Sequence, residues 1–249
     1  MWDKIRRMNQ FTSFRCVSRA GLWCCLLAAG VLALPDSVRG ADAPATQRAR
    51  EGPPRVLVIG DEISSSSSGY LSPLSTALSG QALVLHISGL AGSSKDAPGQ
   101  IEDWLGEEPW DLVLFNFGLR DFKDKEGTEL TAQDLKDYQA NLKKIVRQLK
   151  RSGAKLVWAN TTPVPVTNRY KCKPEDVKRY NEAAFLVMEG AKVPIADLNG
   201  AIQGHLAQCQ TGDVLFKAEG NKVLAAAAAS AIRKALGLPE PPPAAHKGK

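Results

Sequence analysis

The sequence is poor in several features on which functional classes depend. Its 249 residues include three histidines and five cysteines, and no Cys-x-x-Cys pair, so metal binding and thiol redox chemistry have little support. No stripe of basic residues is interleaved with aromatic residues, which argues against nucleic-acid binding. No repeat with a period of about 20–50 residues is present, which excludes a repeat architecture.

The positive charge lies mainly at the N-terminus. The formal charge is +6, but the first 40 residues hold six Lys or Arg and two Asp, which leaves 26 basic and 24 acidic residues in the rest. Five of those basic residues precede an apolar run over residues 20–34, and Val38 and Gly40 suit the −3 and −1 positions of a cleavage site. Residues 1–40 are therefore predicted to be an export signal, and the protein to be secreted or periplasmic.

The length of that run decides between two forms of export. A membrane span needs about 20 apolar residues, and this run has 15. We therefore expect cleavage after Gly40 and no membrane span in the mature protein, with a retained signal anchor as the alternative. A polar spacer is predicted over 41–54, one domain over 55–237, and a disordered tail rich in Pro, Ala and Lys over 238–249.

The predicted compartment determines how the cysteines are interpreted. Three of the five fall in the predicted signal, which leaves Cys172 and Cys209 in the mature chain. In an oxidising compartment an even pair favours a disulfide over two separate buried thiols. A disulfide between these two cysteines is therefore predicted.

Apolar runs typical of β-strands alternate with amphipathic helical stretches. The runs are short and rich in β-branched or aromatic residues, and they cover 56–59, 82–87, 111–117, 154–159 and 193–196. Helical patterns cover 131–151, a stretch that opens at Pro174, and 219–236. This alternation predicts a mostly parallel sheet flanked by helices.

Ligands bind to such sheets beyond the carboxyl ends of the strands. That rule places five segments along one rim, namely 60–64, 88–94, 117–121, 160–167 and 212–216.

Four segments, in their order along the chain, resemble motifs of the SGNH (GDSL) hydrolase family. Gly60-Asp61-Glu62-Ile63-Ser64 resembles the family's Gly-Asp-Ser-Ile, and Gly118-Leu119-Arg120-Asp121 its Gly-x-Asn-Asp. Residues 212–220 match Asp-x-(x)-His-Phe-x-x-x-Gly, and 154–165 resemble the fourth strand and the loop after it. The resemblance covers roughly residues 55–236. It implies a flavodoxin-like three-layer α/β sandwich with about five parallel strands and no metal or cofactor.

The chain departs from the family at most of the positions that carry its chemistry. The resemblance implies a serine nucleophile, a histidine base held by an aspartate, and oxyanion donors from a glycine amide and an asparagine. Glu62 stands at the serine position and has no proton for a base to remove. Leu215 stands at the histidine position and cannot transfer a proton. Arg120 replaces the asparagine, and Asp213 matches the aspartate.

The same substitutions predict a rebuilt pocket. The charged groups of Glu62 and Arg120 are expected to lie within about 4 Å of each other, as a bidentate ion pair. The family's oxyanion glycine corresponds to Gly89 or Gly92. The candidate binding residues are Asp61, Glu62, Gly89, Gly92, Arg120, Asp121 and Leu215.

The sequence offers other candidate catalytic and metal sites, but each is less consistent with the residues present. A nucleophile from the serine run 64–68, or His205 as a replacement base, is disfavoured because a nucleophile needs a positioned base. His86 is expected to pack locally. A cluster of carboxylates could serve a glycosidase or a metal. Arg120 disfavours a cation, and Asp61 and Asp121 are expected to bind backbone amides instead.

The leading hypothesis is therefore an exported relative of SGNH hydrolases with a degenerate, non-catalytic site. It would bind a glycan, an acylated ligand or a protein partner. The alternative is an active esterase or deacetylase of the SGNH type that uses a rearranged site.

Overall fold

Five short strands form the centre of the computed structural model, which describes residues 52–65, 67–125 and 128–241. They are β1 (Arg55–Ile59), β2 (Leu83–His86), β3 (Leu112–Phe115), β4 (Lys155–Ala159) and β5 (Ile195–Ala196). All neighbours pair in parallel, in the order β2-β1-β3-β4-β5. The predicted flavodoxin-like parallel sheet is thus confirmed, and its strand order reverses between β1 and β3.

Seven α-helices connect or follow these strands in the described part of the chain. They are α1 (Leu71–Ala77), α2 (Ile101–Leu105), α3 (Ala132–Arg151), α4 (Pro174–Ala191), α5 (Leu198–Gln203), α6 (Leu206–Cys209) and α7 (Ala218–Leu236). Right-handed crossovers place α1 on one face of the sheet and α2, α3 and α4 on the other. Accordingly α7 packs on α1 and on β3, β4 and β5, whereas α3 packs on α4 and α2. The result is a sandwich of three layers.

The central strands β1 and β3 are apolar because both faces of the sheet are covered there. Residues 112–115 of β3 are all fully buried, and the buried residues of β1, 56–59, are at most 2% exposed. A parallel strand between two helical layers reads as a continuous apolar run rather than an alternating one. That is the pattern from which these strands were predicted.

The two long helices on one face begin where the sequence predicts. Thr131 and Asp134 form a capping box at the start of α3, in which the Asp134 amide donates to the Thr131 hydroxyl over 3.2 Å. Pro174 occupies the first turn of α4, where its missing N–H costs no hydrogen bond. Helix α4 ends at Ala191 and is capped by Lys192, whose φ of 55° is left-handed.

The predicted terminal segments lie partly outside the described residues. The export signal over 1–40 and the spacer up to residue 51 fall there, as do residues 242–249. The first residues of the predicted tail still contact the domain: Leu238 packs on the core, and the Pro239 carbonyl accepts a hydrogen bond from Gln81 Nε2 over 3.1 Å. Within the described ranges, no helix combines the length and the apolarity needed to cross a membrane.

Candidate functional site

The candidate site begins in the tight turn that follows β1. The amide of Ser64 donates to the Asp61 carbonyl over 3.1 Å, and the Ala91 amide, from the loop after β2, donates to the Gly60 carbonyl over 2.8 Å. A Cβ at position 60 would lie only 2.4 Å from the Ser64 hydroxyl oxygen, so the turn requires glycine there. The turn buries the two acidic residues that follow, leaving Asp61 5% and Glu62 7% exposed.

Glu62 is paired with Arg120, which lies in the 3₁₀ turn Leu119–Lys125 after β3. Arg120 Nε donates to Glu62 Oε2 over 3.2 Å, so the predicted proximity of the two charges is confirmed. The pair uses one guanidinium nitrogen instead of the two expected. The Glu62 side chain is 10% exposed and that of Arg120 26%, which leaves the rest of the guanidinium partly open to solvent.

The second oxygen of Glu62 is also occupied. Glu62 Oε1 accepts a hydrogen bond from the hydroxyl group of Tyr170, a buried residue of the loop between β4 and α4. Burial and this hydrogen bond to an anion raise the pKa of Tyr170, so the phenol stays protonated and remains a donor. Sequence reasoning missed Tyr170, although it lies only three residues beyond the predicted rim segment 160–167.

Asp213 is held by an arginine where the family's aspartate orients a histidine. Arg169 donates to Asp213 through its backbone amide over 3.0 Å and through Nε over 2.5 Å. Burial works against ionisation of Asp213, but these hydrogen bonds outweigh it and hold the pKa of that carboxyl below its usual value. Arg169 thus occupies the Asp213 carboxylate, which in the family would bind the catalytic histidine. Sequence reasoning missed Arg169 as well.

Leu215 lies near this pair without any polar function of its side chain. It is partly buried and packs against the hydrophobic core. Its carbonyl accepts hydrogen bonds from the amide and the hydroxyl of Thr211 over 3.1 and 2.8 Å, which close the loop before α7.

The other predicted site residues shape the rim. The Asp121 carboxylate accepts hydrogen bonds from the amide of Ser94 over 3.1 Å and from its hydroxyl over 2.6 Å, which ties the loop after β3 to the loop after β2. Asp61 accepts from the Ile63 amide over 2.9 Å. Both carboxylates therefore bind backbone amides, as predicted.

The two candidate oxyanion positions differ in whether the backbone and its surroundings require glycine. Gly89 has a φ of 81°, a conformation that favours glycine. A Cβ on Gly92 would make only ordinary contacts, with Asp96 at 3.7 Å, so its backbone and surroundings do not demand glycine. The choice between them as the family's oxyanion position stays open.

One serine and one histidine do meet beneath the turn. Ser64 Oγ lies 3.1 Å from His86 Nε2, and His86 Nδ1 lies 2.9 Å from the Ile87 carbonyl. Burial lowers the pKa of His86, which favours the neutral ring with its proton on Nδ1. Ser64 is 2% exposed, however, and its hydroxyl also reaches the Asp61 carbonyl at 2.9 Å. Ser64 and His86 therefore stabilise the turn after β1 through buried hydrogen bonds.

The structure does not contain the predicted disulfide. Cys172 and Cys209 are both free and buried. The Cys172 thiol donates to Asn168 Oδ1 over 3.4 Å, whereas the Cβ of Cys209 packs against the start of α7, close to Gly220. Burial raises the pKa of the Cys172 thiol to about 11, so this thiol stays protonated and unreactive. The even count of cysteines suggested a pair, but burial in separate environments accommodates each of them alone.

The carboxylates do not gather into a metal site. Among the residues that the structure describes, no three His, Cys, Asp or Glu side chains are grouped so that they could hold a metal ion. Glu62 and Asp213 each face an arginine instead. The cluster is therefore a set of internal ion pairs.

Comparison of the sequence with protein families places it in a known family. The profile of a family described as GDSL-like lipase/acylhydrolase matches residues 58–223, well over half of the chain. Comparison with curated proteins gives no significant match.

Solved structures share the fold. A lipase/acylhydrolase from Enterococcus faecalis has a TM-score of 0.62 at 15% identity, over 76% of this chain and 99% of the other. An acetyl xylan esterase has a TM-score of 0.60 at 15% identity, over 72% and 99%. A catalytic mutant of an acetylxylan esterase from Geobacillus stearothermophilus has 0.58 at 15%, over 75% and 95%. Identities this low establish the fold and leave the activity open.

The electrostatics of Asp61 give this site a pH dependence. Burial, followed by the neighbouring charge of Glu62, raises the pKa of Asp61 to about 7, despite the hydrogen bond from the Ile63 amide. Because the folded chain holds a proton at Asp61 that the unfolded chain has lost, this residue stabilises the fold less as the pH rises from about 4 to 7.

We therefore predict that Asp61→Asn will flatten the pH profile of stability. Relative to this variant, the wild type should lose on the order of 4 kcal/mol of unfolding free energy between pH 4 and 8, at about 1.4 kcal/mol per unit of pKa. Urea unfolding at several pH values measures the difference. Asp103→Asn makes the same change at an exposed position and is the control. A difference that stays constant or grows with pH would contradict the assignment.

Proposed function

Because this chain belongs to the GDSL-like lipase/acylhydrolase family, we propose that it is an exported, non-hydrolytic member of that family, whose former active site is closed by its own side chains. Its function is then binding, of a glycan, an acylated ligand or a protein partner. Two of the similar structures are named as esterases of acetylated xylan, so an acetylated xylan oligosaccharide is the first glycan to test.

The state of Glu62 carries this proposal. A carboxylate at the serine position has no proton to lose to a base, so it cannot be activated as a hydroxyl is. Both of its oxygens are bound, one by Arg120 and one by Tyr170. A carboxylate whose lone pairs are held by a cation and a phenol is a weak nucleophile as well as a buried one.

The position of the base supports the same conclusion. Leu215 offers no imidazole, and Asp213, which would orient one, is engaged by Arg169. Loss of triad members can leave a rate acceleration of about 10³–10⁴ from binding and oxyanion stabilisation. Here Arg120 Nε donates to Glu62, while the rest of the guanidinium stays partly open to solvent. With neither nucleophile nor base, hydrolysis is therefore expected not to exceed that residual level.

A second candidate function is ester hydrolysis through a rearranged site. The observation that favours it is the contact between Ser64 Oγ and His86 Nε2, with the far ring nitrogen of His86 on a carbonyl. This order of groups resembles a nucleophile, a base and an orienting acceptor. The burial of Ser64 argues against it, because a substrate carbonyl has no access to a hydroxyl that is 2% exposed.

Export rests on residues 1–40, with their basic start, short apolar run and small-residue exit. Expression of the full chain in a bacterial host should yield extracytoplasmic protein whose mass corresponds to a first residue of Ala41. Gly40→Trp places a bulky residue at the −1 position and should prevent cleavage. Uncut wild-type chain in the cytoplasm would refute export, and uncut chain in the membrane fraction would indicate the anchor.

The loss of hydrolysis is tested with a short-chain aryl acetate. We expect the wild-type chain to turn over far more slowly than about 1 s⁻¹, an ordinary enzymatic rate. A restored variant combines Glu62→Ser, Arg120→Asn and Leu215→His with Arg169→Ala and Tyr170→Phe, which free Asp213 and the pocket. This variant should hydrolyse the ester faster than the wild type.

Two further variants keep this test interpretable. The first is the restored variant with Glu62→Ala in place of Glu62→Ser. It differs from the restored variant only in lacking the nucleophile, so it should lose the gained activity. Ser64→Ala in the wild-type background addresses the second candidate function. Turnover by the wild type at about 1 s⁻¹ or more would refute the proposal, and its abolition by Ser64→Ala would establish the rearranged site.

A further inference from the structure

A large groove lies away from the cluster around Glu62, on the far edge of the sheet. It runs between α4 and α5 beside β5 and has a volume of about 1060 Å³, comparable to the larger small-molecule sites of proteins. Strand β5 has only two residues and is the last strand of the sheet. The groove therefore lies at one edge of the sheet.

The lining of the groove is mainly apolar. It includes Trp158, Val164, Phe185, Leu186, Ile195 and Leu206. Two of these, on the α4 side, are unusually open to solvent: Phe185 is 47% and Leu186 61% exposed. They stand three and four positions after Glu182 and therefore share one face of the helix with it. Large apolar side chains gathered at the mouth of a groove are typical of a binding surface.

Trp158 is the most buried of these apolar lining residues. This residue lines the groove from β4 and is 1% exposed. Its indole N–H is buried and has no hydrogen-bond partner in the structure.

The polar groups of the lining are built into the fold. Asn160 Nδ2 donates to Asp197 Oδ1 over 2.6 Å, and the Asn199 amide donates to Asn160 Oδ1 over 2.8 Å. Asn181 exchanges hydrogen bonds with the backbone of Thr161 over 2.8 and 2.9 Å. These contacts fix the polar end of the groove before any ligand enters, which reduces the entropy lost on binding.

The charged groups of the lining are mostly acidic. They are Glu175, Glu182 and Asp197 against the single Lys178, which itself pairs with Glu182 at 3.7 Å. This excess of negative charge disfavours an anionic ligand and favours a cationic one. The sign is opposite to that of the whole chain, whose formal charge is +6.

We propose that this groove binds a cationic amphiphile, with an extended apolar body along α4 and a positively charged head group beside Glu175 and Glu182. The proposal concerns a different cavity from the cluster around Glu62 and does not depend on whether that cluster hydrolyses esters. Its lining does not include Glu62, Arg120, Asp213 or Leu215.

Three probes that share one apolar chain test the proposal on the full chain. They are decyltrimethylammonium, decyl maltoside and decyl sulfate, each titrated calorimetrically below its micelle concentration at low salt. We expect decyltrimethylammonium to bind at least about tenfold more tightly than decyl sulfate, with the maltoside between them. The preference should shrink at high salt. Since the net charge of the chain favours the sulfate, non-specific binding predicts the reverse order.

Variants locate the binding. Leu186→Gln should weaken all three probes by about tenfold because it removes apolar contact area. Leu83→Gln makes the same change at an exposed leucine of β2, on the opposite edge of the sheet, and should have no effect. Glu175→Gln with Glu182→Gln should remove the preference for the cation and leave the maltoside unchanged.

Three results would overturn the proposal. The first is equal weakening by Leu186→Gln and Leu83→Gln, which would mean that the probes bind elsewhere. The second is tightest binding of the sulfate, or equal binding of all three probes. The third is absence of probe binding; a change in the sedimentation of Leu186→Gln would then indicate that the groove is an interface between copies of the chain. Hydrolysis by the wild type would leave each of these outcomes unaffected.

Discussion

The buried carboxylate of Glu62 is the constraint on which the rest of the site depends. Removing a carboxylate from water costs several kcal/mol unless a cation and hydrogen-bond donors replace the lost hydration. Here the cation comes from the turn after β3 and the donor from the loop after β4. Two segments far apart in sequence are therefore fixed against the end of β1 by one side chain.

This requirement explains why the substitutions occur together. A serine at position 62 would leave Arg120 beside a neutral hydroxyl and Tyr170 without its acceptor. Arg169 and Asp213 form a second pair in which each charge compensates the other. The cluster is satisfied by its own members, whereas an active site keeps groups poised for a substrate. Sites at which a chain departs from its family's local rules are where its function is expected to differ.

Much of the fold could be predicted from sequence because its signals are local. The apolar runs gave the strands within a few residues, since a parallel strand buried on both faces has no alternation to obscure it. Helix α3 followed from the helical pattern over 131–151, and the start of α4 from Pro174. Glu62 and Arg120 could be paired because the resemblance to the family places both positions at one active site.

What sequence could not supply depends on loop conformation. Tyr170 and Arg169 belong to an irregular loop, whose course is fixed by contacts such as that of Asn168 Nδ2 with the Pro165 carbonyl, at 2.8 Å, rather than by a periodic pattern. The disulfide was inferred from a count of cysteines, and a count contains no geometry. The groove beside β5 was not foreseen either, because its lining comes from β4, α4 and α5, whose residues are distant in sequence.

The central claim is that Glu62 and Arg120 form one energetic unit, and a double-mutant cycle tests it most directly. The measurement is the free energy of urea unfolding, at pH 7, of the wild type, Glu62→Gln, Arg120→Met and the double variant. Each single change leaves a partly buried charge without its partner. We therefore expect a coupling energy of about 1–3 kcal/mol, with the double variant destabilised by clearly less than the sum of the two single variants. Single effects that add to within about 0.5 kcal/mol would contradict the account, because they would show that the two charges do not depend on each other.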